Sequence, residues 1–290
     1  MKSAGAPRQT FLLLFTLARG ACLSICFWLM LLAPEIAVAQ VLDAGRGHED
    51  GCNRPGPPPH GETARSQQGP VVAARYFGST NDYPHGVLGD EIEAEGVLVR
   101  YDNGERVICD TVLAGTDRVF EDITPRLADL DGDGVNEVIT VASHAQQGAR
   151  LEVYGYPKLG QDFQLLAATP YIGTRFRWLA PVAVADLDGD GFVEIAYVDR
   201  PHLAKTLRIW RYRDAALEAV GAMPGVSNHK IGWPFIVGGL RDCGAGPEMI
   251  LGSANWRDVV SVRFADGEFA TGRLARFSSP EQLNGFLDCD

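Results

Sequence analysis

Two stretches concentrate the residues whose types and spacing could do chemistry. Leu127-Ala128-Asp129-Leu130-Asp131-Gly132-Asp133-Gly134-Val135-Asn136-Glu137 is nearly repeated by Val184-Ala185-Asp186-Leu187-Asp188-Gly189-Asp190-Gly191-Phe192-Val193-Glu194. Alternate carboxylates on a tightly curled loop aim their oxygens at one centre, and calcium is a hard cation that takes six to eight oxygens. Asp129, Asp131 and Asp133 would supply three carboxylates, the carbonyl of Val135 a fourth oxygen, and Glu137 the closing carboxylate. Asp186, Asp188, Asp190, Phe192 and Glu194 repeat the set. A plain Asp/Gly turn would leave three aspartates repelling one another, twice over, so two calcium ions are expected. The helical EF-hand is excluded. It needs its bidentate Glu at loop position 12, where this chain has Thr140 and Tyr197, and the acid falls at position 9 instead.

The elements that must position these loops repeat with them. Glu137, Glu194 and Glu248 stand 57 and 54 residues apart, and each opens an apolar run: Val138–Val141, Ile195–Val198 and Met249–Leu251. A further strand follows each, at Leu151–Tyr154, Leu207–Trp210 and Val260–Arg263, and Val97–Arg100 fits the same phase one unit earlier. Each unit of about 55 residues reads as four strands, near Pro125–Leu130, Val138–Ser143, Leu151–Tyr156 and Phe163–Thr169 in the second unit. A four-stranded meander at such a period is a propeller blade. The expected fold is therefore all-β, a β-propeller-like array of about four units over residues 71–290. A small four- or five-bladed ring, an open array and assembly between chains all remain open. In the last unit the loop is reduced to Arg241, Asp242 and Glu248, so no calcium is expected there.

The period, the D-x-D-G-D-G-x-x-E loops and their flanking strands resemble the FG-GAP/VCBS repeats of integrin-type β-propellers, in the form found in bacterial exported proteins. The resemblance covers roughly 71–290 and implies a calcium-bearing scaffold. It does not imply one activity, because such repeats occur in adhesins, lectin-like binders and polysaccharide-degrading enzymes.

Residues 1–39 read as an export signal. Lys2 and Arg8 precede an apolar stretch, and Ala37-Val38-Ala39 offers small residues for cleavage. Retention as a membrane anchor is the alternative, at the cost of Arg19 within the apolar stretch. Cleavage would leave a soluble extracytoplasmic chain, periplasmic or secreted, without membrane insertion. Its 23 basic and 36 acidic residues balance to −13. Such a charge repels phosphate backbones, which excludes nucleic acid as a partner, and it suits a cation binder. Residues 40–70, with Pro55-Gly56-Pro57-Pro58-Pro59, read as an irregular linker. Outside the leader lie Cys52, Cys109, Cys243 and Cys289, an even number that points to two disulfides. Three pairings are open, among them a Cys52–Cys289 bridge tying the chain ends.

No nucleophile elbow, P-loop, dinucleotide fingerprint or paired-cysteine redox motif occurs. Trp178, Trp233 and Trp256 fall near one end of the units, where they could stack on sugars or simply pack blades. The basic cluster of Asp199–Lys205 reads as a charged surface loop, with a site for an anionic ligand as the alternative. The function expected is a calcium-stabilised binding or adhesion module with a protein or glycan ligand. The alternative is a calcium-assisted polysaccharide lyase or hydrolase, for which His202, Lys205 and His229 are the candidate bases.

Overall fold

Period-2 alternation settles which face each apolar residue serves. Along 138–142 the side chains of Val138 and Ala142 enter one buried cluster, whereas Ile139 and Val141 enter the next. Ile195 and Tyr197 likewise face one way, and Ala196 and Val198 the other. A sheet apolar on both faces needs a neighbour on each side, and stacked blades supply it.

The computed structural model describes residues 41–42, 52–158 and 160–289. The expected signal, 1–39, lies outside them. The described residues belong to one unit, Val38–Asp290. The first sheet holds β1 (Val41–Leu42), β2 (Thr63–Arg65), β3 (Val71–Phe77), β4 (Gly96–Asp102) and β5 (Val107–Leu113), in the order β1-β5-β4-β3-β2. The second holds β6 (Arg118–Phe120), β7 (Arg126–Ala128), β8 (Glu137–His144), β9 (Gly148–Gly155) and β10 (Gln164–Ala168), with β6 and β7 both paired to β8. The third is the plain meander β11 (Leu179–Ala185), β12 (Glu194–Asp199), β13 (Thr206–Arg213) and β14 (Ala216–Pro224). The fourth holds β15 (Val226–Ser227), β16 (Gly239–Asp242), β17 (Pro247–Ser253), β18 (Asp258–Ala265) and β19 (Glu268–Arg276), followed by α1 (Pro280–Gly285). Neighbouring strands pair antiparallel throughout.

Buried clusters fill the spaces between successive sheets, around Phe120 and Tyr154, around Leu151 and Leu179, and around Leu207 and Met249. The outer faces are closed locally. Phe77 and Leu98 lie under Cys52 and Cys109 on the first sheet, and Ile250 and Val259 lie under Leu283 of α1 on the last. Among the described residues, no buried cluster joins the first sheet to the fourth. The outer faces of the first and fourth sheets are thus each covered locally, while the loops of these two units meet where the Gly232 N–H donates to the Val87 carbonyl at 3.1 Å.

Two readings of the sequence are corrected. The segment 40–70 is not wholly irregular: Thr63–Arg65 pairs with β3 as an edge strand, and Arg75 donates to the carbonyls of Arg54 and Pro55, fastening 54–55 to the first sheet. The disulfides are Cys52–Cys109 and Cys243–Cys289. Each closes one terminal sheet on its own flanking segment, so no bridge joins Cys52 to Cys289. Two disulfides fit an oxidising compartment, and among the described residues no helix is long and apolar enough to cross a membrane.

Candidate functional site

Antiparallel order puts the two kinds of connection at opposite ends of the sheets. The turns entering β8, β12 and β17 lie at one end, and those leaving them at the other. The acidic loops occupy the first end.

In the loop before β8, backbone N–H groups fold the carboxylates inward. Asp129 accepts from Gly132 at 2.8 Å and from Gly134 at 3.0 Å, Asp131 from Asp133 at 3.2 Å, and Asp133 from Val135 at 2.7 Å. Gly132 and Gly134 have φ of 77° and 85°, a region that glycine enters without a Cβ penalty. Glu137 opens β8, is 2% exposed, and accepts from the Leu130 N–H at 2.8 Å. One oxygen from each of Asp129, Asp131 and Glu137 lies within 4.8 Å of the others. Asp133 lies outside that group, with its Oδ1 on the Val135 N–H, and the Val135 side chain is buried between sheets. Burial pushes the Glu137 carboxyl up to about 8; the neighbouring Asp131, Asp133 and Asp129 add to the rise, and the Leu130 N–H opposes it. A buried carboxylate crowded by like charges is stabilised by a cation, and oxygen ligands of this type are those of calcium or magnesium.

The loop before β12 repeats the frame. Asp186 accepts from Gly189 at 2.7 Å and Gly191 at 3.0 Å, and Glu194, fully buried, accepts from Leu187 at 2.8 Å. Asp186, Asp188 and Glu194 gather one oxygen each within 4.8 Å. Asp190 lies outside that group, its Oδ1 on the Phe192 N–H, and Phe192 is exposed beneath Arg213. Arg211 of β13 enters this loop, a residue that the motif did not reveal. Its guanidinium meets Asp188 at 2.5 Å, Asp190 at 2.8 Å and Glu194 at 2.6 Å. Oδ1 of Asp188 is left buried without a hydrogen-bond partner. Burial raises the Glu194 carboxyl too, against the opposing Arg211 and Leu187 donors.

The remnant loop before β17 has no such group. Arg241 binds Glu248 through Nε and Nη2 at 2.8 and 2.6 Å, and Arg263 lies 3.4 Å away. Burial works against these guanidinium groups, but they prevail and hold Glu248 below its ordinary range. The Cys243–Cys289 bridge ties this loop to the segment after α1.

At the opposite end, residues remote in sequence converge. His85 Nδ1 meets the fully buried Glu121, whose other oxygen accepts from Ser143 Oγ. With Nδ1–H donating to the carboxylate, Nε2 is left as a proton acceptor. His85 lines a small pocket with Phe176, Arg177, Arg200 and His202. Phe176 and Arg200 have φ of 58° and 45°, strained values for non-glycine residues. Of the three histidine and lysine candidates, His202 reaches this pocket. His229 is fully buried, and its Nε2–H donates to the Trp233 carbonyl at 2.8 Å, so its Nδ1 accepts from His202 Nε2 at 2.9 Å. Burial depresses both imidazoles to about 4, with the neighbouring His229 also lowering His202. Lys205 Nζ is spent on the Ala254 carbonyl at 2.7 Å. Trp178 is a packing residue: it is buried, and its Nε1 donates to the Glu121 carbonyl. Trp233 stacks on the exposed Phe235, and Lys230 lies over Trp233, Trp256 and Phe277.

A larger cleft opens beside the acidic end, walled by Tyr101 and Tyr156 with rings 5.7 Å apart, and edged by Arg106, Asp110 and Gln161.

Residues 129–197 match the FG-GAP-like repeat family, so the chain carries a repeat of that family across both acidic loops. No curated protein matches the chain. Among solved structures, the chain is similar to a GH43 β-xylosidase/α-arabinofuranosidase from a compost microbial metagenome, solved with xylotriose in calcium-free form. The identity is 14% and the TM-score 0.39, over 76% of this chain and 80% of that one. It is also similar to the exo-type rhamnogalacturonan lyase YesX, at 14% identity and a TM-score of 0.31, over 72% of this chain and 49% of that one.

Proposed function

We propose that this chain is an exported, calcium-stabilised binding module, with the ion serving structure and a glycan as ligand. The supporting observation is the loop 129–137, where Asp129, Asp131 and a buried Glu137 converge, with no Lys, Arg or His of the described residues in an ion pair with them. A divalent ion there would neutralise the carboxyls that burial and mutual repulsion otherwise strain, and it would clamp β7 to β8. The Tyr101–Tyr156 cleft supports the choice of ligand. Its aromatic walls suit the faces of sugar rings, and Arg106, Asp110 and Gln161 suit their hydroxyls. Calcium-loaded protein on a glycan array should give a ligand whose signal Tyr101→Ala removes. A glycan signal indifferent to Tyr101 places recognition elsewhere, and an array without any signal defeats the glycan assignment.

A second reading, catalysis on a polysaccharide, is favoured by one feature: the Glu121–His85 pair, which orients an imidazole base into a pocket with Arg177 and His202. Screening polysaccharides for new reducing ends or unsaturated products tests it. Activity abolished by His85→Ala would establish this reading, and activity untouched by that change would remove His85 from it.

A further inference from the structure

The two acidic loops share a motif but not a neighbour. Glu194 pairs across the sheet with Arg211. In the preceding sheet Val138 pairs with Tyr154, so the same register sets Glu137 opposite Gly155. A Cβ on Gly155 would lie 3.2 Å from Glu137 Oε1, which confirms how closely that position faces the carboxyl. In the fourth sheet Met249 pairs with Val262, and the register sets Glu248 opposite Arg263. One structural position therefore holds glycine, arginine and arginine in successive sheets, beside a glutamate that is buried in each.

We infer that Arg211 is a built-in occupant of the loop 186–194, so that the chain takes up one calcium ion tightly, at 129–137, and holds its second loop closed with a guanidinium. The inference rests on the cation reading of the first loop given above. Arg211 contacts Asp188, Asp190 and Glu194 at once, at 2.5–2.8 Å, through three different nitrogens. A planar guanidinium fork suits such carboxylate geometry better than an ammonium would. It is also tethered to the strand next to Glu194, so an incoming ion competes with a ligand that never diffuses away. If the arginine-free state is populated at about 1–10%, the apparent affinity of the second loop falls roughly 10–100-fold below its intrinsic value. Metal uptake there requires Arg211 to swing out and leave its charge in water. Oδ1 of Asp188, buried without a partner, shows that the guanidinium fills the loop incompletely, as a substitute for an oxygen-seeking ion would.

Calorimetric titration of chelator-stripped protein with calcium chloride counts the sites. Wild type should bind one ion tightly, Asp131→Asn none, and Arg211→Gly, which copies Gly155, two. Arg211→Gln serves if the glycine variant fails to fold, and it too should show a second tight site. Two equivalent tight sites in wild type would overturn the inference while leaving the cation reading intact. The same holds for a folded Arg211 variant that still binds one ion. Loss of the single wild-type ion in Asp188→Asn but not in Asp131→Asn would also overturn it, because the occupied loop would be the wrong one. No binding by wild type or by the Arg211 variants would defeat the cation reading, and the inference with it.

Discussion

The acidic end and the histidine end of the sheets gather charged groups by different routes. At the acidic end, Asp129, Asp131 and Glu137 belong to one loop of nine residues whose own N–H groups shape it. At the other end, His85, Glu121, Ser143 and His202 arrive from four separate segments. A contiguous loop carries its geometry wherever it is grafted, whereas a convergent site exists only when the blades stack correctly. The acidic end also crowds charges of one sign around buried Glu137, and the histidine end buries neutral imidazoles. The two ends should therefore answer perturbation in opposite ways.

The largest expected effect concerns the acidic end of the fourth sheet, where a disulfide and two arginines hold the loop around Glu248. Cys289→Ser removes the Cys243 bridge and should cost about 2–4 kcal/mol, a fall in melting temperature of roughly 5–15 °C. Calcium binding at 129–137 should persist, because that loop shares no residue with the bridge. Thermal melts with and without calcium check both points.

Acid should then separate the ends. Glu137, raised from 4.5 to about 8, favours the ion-free folded state most below pH 4.5, and that contribution is lost as the pH rises through about 8. His202 and His229, lowered from 6.5 to about 4, contribute stability above pH 6.5 that is lost as the pH falls towards 4. In chelator, Glu137→Gln should abolish the gain on acidification from pH 8 to 6.5. His202→Gln should reduce the loss between pH 6.5 and 4, an effect on the order of 1–2 kcal/mol after solvent screening. Urea midpoints across that range read both. Identical pH profiles for the two variants would erase the contrast.

A smaller effect follows from the same carboxyl. Because Glu137 is raised to about 8, calcium binding at pH 7 should release close to one proton per ion. Titrations in two buffers of different ionisation enthalpy measure it. Release near zero would mean that Glu137 is already ionised in the ion-free protein.

Legibility in the sequence follows the same division. The strands of the second unit expected at 125–130, 138–143, 151–156 and 163–169 fall within three residues of those places, because β-branched alternation and the repeat reinforce each other. The acidic loops are legible because every donor and carboxylate in them is local. Arg211 is not, since its role depends on strand register; aligning it with Gly155 across the repeats is the signal that would have found it. Cys52 and Cys289 look like natural partners only until the chain folds: Cys52 lies on the first sheet and Cys289 beside the remnant loop of the fourth. Thr63–Arg65, embedded in Gly- and Pro-rich sequence, becomes a strand because β3 offers it a free edge. His85 and Glu121 carry no motif at all, and only the stacked sheets bring them together.

The most direct test of the calcium-held scaffold is a pair of melting curves, wild type and Asp131→Asn, each in calcium and in chelator. An ion at a hundred times its dissociation constant contributes about 2.7 kcal/mol, which for a chain of this size is roughly 5–10 °C. That shift is expected in wild type and should be absent in Asp131→Asn. Wild-type curves that superimpose with and without calcium would contradict the calcium-held scaffold.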